Sequence, residues 1–559
     1  MDCELDSSIT VPKIPTYLTH NVDSLLSVAV SPPSLCHDVR ISLLLPHKQA
    51  RHVASRTLTV SMHQCRWDAD HLRSRFVQAL SDMYRTEVPL YGDLVDIVHC
   101  IDDKTLLAQG QTADDLPVRH QAERHGAIRV GTEHELRMIS RLFALMGMHP
   151  VGYYDLEMVG FPLHGTAFRP TAEESLRKNP FRVFTTVLRP DLIASDAVRK
   201  AATDILSNRT LFSPRLCKLV EKAEGNEGRE REKMTAGEAD ELIAEALKIF
   251  KWHSRSTVPM ATYLGLKHEH PMVADIVCFP SAHINHLTPR TLDIDAVQAE
   301  MIRHGLPAKD RIEGPPRGRK CEILLRQTSF KALEEQVAFV DDSVSDSSGS
   351  DEPTSSVGGT HSARFGEVEQ RGAAVTRKGR HLYDRLLATA AAVTQGASGE
   401  ENPPHLFDQV LAEAFSEFPD DWTTLRRQGL VYFRYRVVPD AYYYHASPVV
   451  PGDAARSQTL PVSMERLLDL GVVECEPITY EDFLPISAAG IFTSNLGDSE
   501  NSPGRKHQRA SRTDDSRAEL EAVLGRPLPS EMDLYDELQS ASVRECEMRL
   551  GVEKIVLAG

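Results

Sequence analysis

His125 and Arg129 stand four residues apart in HGAIRVG, a short β-prone stretch that closes on a glycine. Alternation along a strand puts both side chains on one face. Imidazole is a common metal ligand and guanidinium a permanent cation, so the pair could hold one molecule at two points. At about 3.3 Å per residue their Cα atoms lie roughly 13 Å apart. A substrate that chelates a metal at one end and carries a carboxylate at the other would span that distance. From spacing alone an equal alternative is Arg129 paired with a carboxylate of the protein itself.

The surrounding elements have to position these residues. Thr132 and Glu135 form the reciprocal capping pattern of a helix start. The helix that follows carries Leu136, Ile139, Phe143 and Met146 on one face and stops at Gly147, with Pro150 just beyond. Three β-prone runs come next, VGYYDLEMV, PLHGTAFRP and FRVFTTVLRP, completing a β-α-β-β-β unit near residues 124–190. The order recurs near residues 275–375: AHINHLTPR as a strand, DIDAVQAEMIRHGLP as a helix, a weakly extended stretch around RIEGPP, then CEILLRQTSF and RFGEVEQRG as strands. Both helices end in a glycine with a proline close behind, and both first strands contain His-x-x-x-Arg, the second as His286 and Arg290. Such correspondence points to an internal duplication. The expected class is α+β, with the two units as curved sheets facing each other across a cup lined by their first and last strands.

In that cup His125 and His286 take equivalent places, while Glu367 and Glu369 share one face of the last strand. Two neutral imidazoles and one carboxylate on one side of a ferrous ion leave the opposite positions open, as oxygen chemistry requires. The residue types alone do not choose between Glu367 and Glu369, and His164, His283 and His134 are rival donors. Pro289 ends the second strand before Arg290, which leaves that arginine without a catalytic role.

Composition bounds the rest. A net charge of −17 disfavours nucleic acid and anionic membrane as partners, so a small anionic substrate needs a local arginine. The nine cysteines are scattered without a C-x-x-C pair, which supports neither a disulfide framework nor a cysteine zinc site. No apolar run reaches membrane-spanning length, and the acidic start MDCELDSS is unlike a signal or transit peptide. The expectation is a soluble cytoplasmic protein, with the mitochondrion as the alternative address. Residues 1–65 read as a poorly ordered extension and 66–559 as one catalytic domain. Within it lie a helical insertion at 191–274, in which Thr235 and Glu238 form another capping box, a disordered acidic loop at 340–361, and a C-terminal α/β elaboration at 376–559. Ser487, Ala488, Ala489 and Gly490 form a small-residue run that allows close approach of backbone to a ligand. Phosphate-loop, dinucleotide, nucleophile-elbow and H-E-x-x-H motifs are all missing from the sequence.

Taken together, YRTEVPLYGDLV, HGAIRVGT, NPFRVFTTVLRPDLI, HINHLTPRTLDID, RFGEVEQRG and YEDFLPISAAGIFTSNLG resemble the 2-oxoadipate dioxygenase/decarboxylase family, from about Arg66 to the C-terminus. The resemblance implies a vicinal-oxygen-chelate-like fold. It also implies a ferrous enzyme that converts 2-oxoadipate and dioxygen to (R)-2-hydroxyglutarate and carbon dioxide in lysine breakdown. Carried over residue by residue, it makes His125 and His286 iron ligands that the 2-oxo acid approaches, and Arg129 the partner of the distal carboxylate. FGEVEQRG is similar to the E-x-x-Q-R strand of 4-hydroxyphenylpyruvate dioxygenases, which selects Glu367 over Glu369 as the third ligand. The family's small-residue loop implies substrate contacts at Ile486 and Ser487. Two other readings stay open: a dioxygenase of this scaffold acting on another 2-oxo acid, and a non-catalytic metal- or ligand-binding protein.

Overall fold

In the computed structural model the chain opens on two helices, α1 (Ala69–Glu87) and α2 (Pro89–Ala108), whose apolar residues recur at helical spacing. Phe76, Leu80, Tyr84, Leu94 and Val98 are buried in the main core as a result. The structure describes residues 68–557 except 123, 158–159, 226–233, 342–355, 397–404, 440–461 and 485–512. The chain divides into two compact units at Arg66 and Trp67. The extension read at 1–65 therefore lies outside the described residues, as do Ile486 and Ser487. No helix among the described residues is long and apolar enough to cross a membrane.

The first β-α-β-β-β unit is β1 (His125–Val130), α3 (Glu133–Leu145), β2 (His149–Asp155), β3 (Leu163–Arg169) and, after the short α4 (Glu173–Lys178), β4 (Arg182–Leu188). Thr132 and Glu135 do cap each other at the start of α3, and Gly147 closes it with a φ of 68°. The connecting segment holds α5 (Asp196–Ser207), α6 (Pro214–Glu224) and α7 (Ala236–Phe250, capped by Thr235 and Glu238), then β5 (Arg255–Pro259), α8 (Met260–Glu269) and α9 (Pro271–Val277). The stretch 191–274 is thus not purely helical. Arg255–Pro259 is extended because it pairs with a strand far ahead in the chain, a contact that local periodicity cannot show.

The second unit is β6 (His286–Thr288), α10 (Ile294–Arg303), β7 (Leu325–Ser329), an excursion through β8 (Glu334–Val340) and β9 (Ser356–Ser362), and β10 (Phe365–Arg371). The RIEGPP stretch contributes only a single bridge, Glu313 to Gln327. Of the acidic loop expected at 340–361, residues 342–355 lie outside the described residues, and only its ends need correction, because Val340 and 356–361 belong to antiparallel strands that form a separate three-stranded sheet with β5. Composition misleads there for a definite reason. A side chain at Gly359 would meet Met260 Cε at 2.3 Å and Phe339 Cε2 at 2.8 Å, so its glycine serves close packing rather than disorder.

The two units do not face each other as separate sheets. They join edge to edge in one seven-stranded sheet of order β2-β3-β4-β1-β6-β10-β7. One face buries Ile128, Val130, Val183, Val187, Leu287 and Val368 against the helices. The other carries the polar residues of the site, walled by a second core that includes Ala127, Phe184 and Phe483. The chain then runs through α11 (Arg377–Gly396), α12 (His405–Ala414), α13 (Trp422–Arg427), β11 (Phe433–Val437), β12 (Val462–Ser463), α14 (Met464–Asp469), β13 (Val473–Pro477), α15 (Thr513–Leu524), α16 (Glu531–Leu550) and β14 (Ile555–Val556). Most of these elements share a third core around Tyr383, Tyr432 and Tyr535.

Candidate metal centre and active site

The pairing of β1 with β6 explains why two histidines meet. The strands are antiparallel, with His125 opposite Thr288, Gly126 opposite Leu287 and Ala127 opposite His286. A local two-fold axis through the Gly126–Leu287 pair therefore exchanges His125 with His286 and Arg129 with Arg290. The duplication also explains why only one carboxylate joins them. On the first unit's side Ala127 pairs with Phe184 of β4. On the second unit's side β10 runs parallel to β6, with Phe365 beside His286, and two residues further the same register sets Glu367 beside Thr288. Phe184 and Glu367 are two-fold mates, one apolar and one acidic. Gly126 keeps the strands close: a Cβ there would stand 3.0 Å from the His286 carbonyl oxygen.

His125, His286 and Glu367 offer donor atoms that all lie within 4.8 Å of one another, and all three residues are buried. His125 Nε2 is 2.7 Å from Glu367 Oε2, and His286 Nε2 is 3.8 Å from the same oxygen. Thr288 Oγ donates to that oxygen at 3.1 Å. Neither ring nitrogen of His286 has a hydrogen-bond partner among the described residues, an unusual state for a buried imidazole and one suited to a bound cation. Burial, reinforced by Arg182 and Arg124, holds His125 well below the usual imidazole range. Burial and the neighbouring His125 and Arg129 do the same for His286. Both rings are thus neutral and can donate lone pairs. Without a cation, desolvation pushes the Glu367 carboxyl up to about 8. A dication would reverse that shift by stabilising the carboxylate. The donor set therefore fits a divalent metal with two imidazoles and one carboxylate.

Glu369, the rival carboxylate, faces the other side of the ring. Its Oε2 is 3.2 Å from His125 Nδ1. The pair lacks hydrogen-bond alignment, so Glu369 acts on the ring through its charge, favouring the proton on Nδ1 and leaving Nε2 for the metal. Glu369 is itself surrounded by arginines: Arg371 at 2.7 Å, Arg182 at 3.1 Å and Arg124 at 3.4 Å. Arg124 and Arg119 also pair with Glu481. Arg182 lies over Phe483 at 4.1 Å, and Phe483 in turn packs edge-on against His125 at 4.9 Å. Beyond them Asp482 binds Arg169 at 2.6 Å and accepts from Tyr535 at 2.6 Å, which anchors residues 480–484 to β3 and α16. We expect Glu369→Gln to weaken metal affinity by about 10- to 100-fold while leaving three ligands in place. Metal titration against a chelator, with thermal unfolding as the check on folding, measures it.

Arg129 lies on the same face as His125, as alternation predicts, and its guanidinium donates to Asp275 of α9 at 2.6 Å. A protein carboxylate is therefore one of its partners. His283 sits with this aspartate, its Nε2 3.2 Å from Asp275 Oδ1, and not with the triad. His164 lies on β3 against Tyr153, and His134 near the start of α3 against Phe212. Neither belongs to a metal-capable group among the described residues. Sequence reasoning passed over Thr288, Arg182, Phe483 and Asp275. A signal existed for two of them: Thr288 alternates with His286 on one strand, and Asp275 is a lone charge in the apolar run PMVADIVCF.

Known proteins resemble this chain over most of its length. A family model described as 2-oxoadipate dioxygenase/decarboxylase matches residues 76–495. The Escherichia coli (strain K12) protein named 2-oxoadipate dioxygenase/decarboxylase is 46% identical over 484 residues, covering 86% of this chain and 98% of its own. The protein of that name from Pseudomonas putida is 44% identical over 489 residues, covering 86% and 97%. Among solved structures, the hydroxyglutarate synthase of Pseudomonas putida in complex with 2-oxoadipate superposes with a TM-score of 0.72 at 42% identity, over 87% of this chain and 99% of that one.

Proposed function

Because the chain belongs to the 2-oxoadipate dioxygenase/decarboxylase family, we propose that it is the oxygenase that converts 2-oxoadipate and dioxygen to (R)-2-hydroxyglutarate and carbon dioxide, as a step of lysine breakdown. The observation that carries the site assignment is the convergence of His125, His286 and Glu367 from three neighbouring strands, with neither His286 ring nitrogen hydrogen-bonded to a described residue. Two imidazoles and one carboxylate are the donors of a non-haem ferrous centre, and we assign iron on that ground. A ferrous ion bound there supplies the electrons that activate dioxygen and the Lewis acidity that holds a 2-oxo acid.

The protein's own residues do the rest. Arg129 holds the distal carboxylate, so that the carbon to be hydroxylated presents one hydrogen and one stereochemical outcome follows. Glu369, 3.2 Å from His125 Nδ1, favours a proton on that nitrogen by its charge and so leaves Nε2 for the metal, and Thr288 steadies Glu367 by donating to it. Phe365, stacked on His286 at 4.7 Å, and Phe483 against His125 keep water from the two rings. Ile486 and Ser487 are assigned to the substrate by family likeness alone. The balance closes without an added reductant: carbon 1 leaves as carbon dioxide, one oxygen atom turns carbon 2 into a carboxylate, and the other becomes the new hydroxyl. With isotopically heavy dioxygen and added ferrous ion, the hydroxyglutarate is expected to carry both labelled atoms by mass. Product with neither atom, or stronger turnover of an arylpyruvate than of 2-oxoadipate, would refute the assignment.

A further inference from the structure

Between β7 and β10 the chain leaves the main sheet, forms β8 and β9 beside β5, and returns. That excursion delivers His361 to Asp275. His361 Nε2 lies 2.9 Å from Asp275 Oδ1, and His361 Nδ1 lies 3.0 Å from the Tyr263 hydroxyl. Its ring is stacked on Trp252 at 5.9 Å and tilted against Phe279 at 4.8 Å. His283, packed edge-on against the same tryptophan at 4.9 Å, approaches Asp275 Oδ1 from another side. The other oxygen, Oδ2, takes Arg129. Asp275 is thus hydrogen-bonded by His361 on one oxygen, with His283 3.2 Å from the same atom but not in hydrogen-bond alignment, and presents the other to the guanidinium.

We propose that Asp275, held by His361, is the positioning residue that orients Arg129 for the distal carboxylate of the substrate. This rests on the reading of Arg129 as the substrate clamp. A guanidinium already held in place loses less conformational freedom when substrate arrives. Asp275 is only 3% exposed and held on its far side, so it cannot swing out to give substrate its seat. The substrate carboxylate meets Arg129 beside Asp275, not in its stead. Burial by itself pushes the Asp275 carboxyl up, yet Arg129, His283 and His361 hold it well below the usual range, consistent with a permanent anion. Asp275, His283 and His361 have the composition of a second metal site. A guanidinium at 2.6 Å already neutralises the carboxylate and repels a further dication.

The test uses iron-loaded enzyme with 2-oxoadipate and with 2-oxohexanoate, which has the same number of carbons but no distal carboxylate. Asp275→Asn is expected to raise KM for 2-oxoadipate about tenfold, with a much smaller change for 2-oxohexanoate. His361→Gln and Tyr263→Phe should shift the same ratio less and in the same sense, and they carry the test if Asp275→Asn does not fold. Iron should stay at one per chain throughout. The proposal is overturned if KM rises equally for both substrates, if KM for 2-oxoadipate falls, or if wild type holds two metal ions and His361→Gln loses one. Arg129→Ala run alongside separates the two ideas. If it leaves the preference for 2-oxoadipate intact, the clamp itself fails; if it abolishes the preference and Asp275→Asn does not, only the positioning role fails.

Discussion

His286→Ala is expected to fold normally and to bind ferrous ion at least about 100-fold more weakly than wild type, with turnover of 2-oxoadipate lost in proportion. The argument for normal folding lies in what this ring does not do. Neither nitrogen is hydrogen-bonded to a described residue, so truncation strands no polar partner. What is lost is ring packing, the stack on Phe365 and the edge contact with His125, worth about 1 kcal/mol each. Stability of the metal-free variant should therefore stay close to that of metal-free wild type, while iron content by elemental analysis falls. A variant that kept iron with normal affinity would remove His286 from the ligand set.

Glu367→Gln should lose iron similarly but with an opposite signature in the metal-free state. Burial raises the folded-state carboxyl from its ordinary value to about 8. Between the unfolded and folded values the native state then binds more protons than the unfolded one. Metal-free wild type therefore loses stability as pH climbs from the ordinary carboxylate range toward 8, and the glutamine variant is spared that loss. Chemical denaturation of the two proteins at several pH values shows the divergence.

The parts of this site that were legible in the sequence are those governed by local rules. The capping pair Thr132 and Glu135, the left-handed stop at Gly147 and the alternation of His125 with Arg129 each follow from neighbours in the chain. The duplication predicted that His125 and His286 would be equivalent, and the β1–β6 pairing makes them mates about one axis. What could not be read is what depends on distant pairing. Glu369 was visible as a second carboxylate on its strand, but its turn toward His125 Nδ1 depends on β6 lying between β1 and β10. The strand carrying His361 was hidden because Ser/Gly composition is shared by solvated loops and by strands packed tightly against large rings. Facing sheets were predicted where one continuous sheet exists, because the pattern within each unit says nothing about which edges join.

Arg129→Ala is expected to raise KM for 2-oxoadipate about 100-fold with iron retained, which corresponds to roughly 2.7 kcal/mol for one buried charge-assisted contact. The retained iron is the informative half, since a general collapse of the site would release metal as well. A complication comes from Asp275, which loses its cation and stays buried, a situation that can cost about 3–5 kcal/mol of stability. His283 and His361 temper it, because both already face that carboxylate at 3.2 and 2.9 Å. The double variant Arg129→Ala/Asp275→Asn removes the stranded charge altogether. If the clamp is right, the double variant regains stability but not affinity, since no cation is left for the distal carboxylate. Recovery of a normal KM in the double variant would mean that the single substitution acted only by exposing substrate to an unpaired Asp275. Arg129→Lys supplies the intermediate case: the charge remains but the planar fork is gone, so KM should lie between wild type and the alanine variant. That ordering, alanine above lysine above wild type for 2-oxoadipate and flat for 2-oxohexanoate, ties the effect to one carboxylate of the substrate and to one guanidinium of the protein.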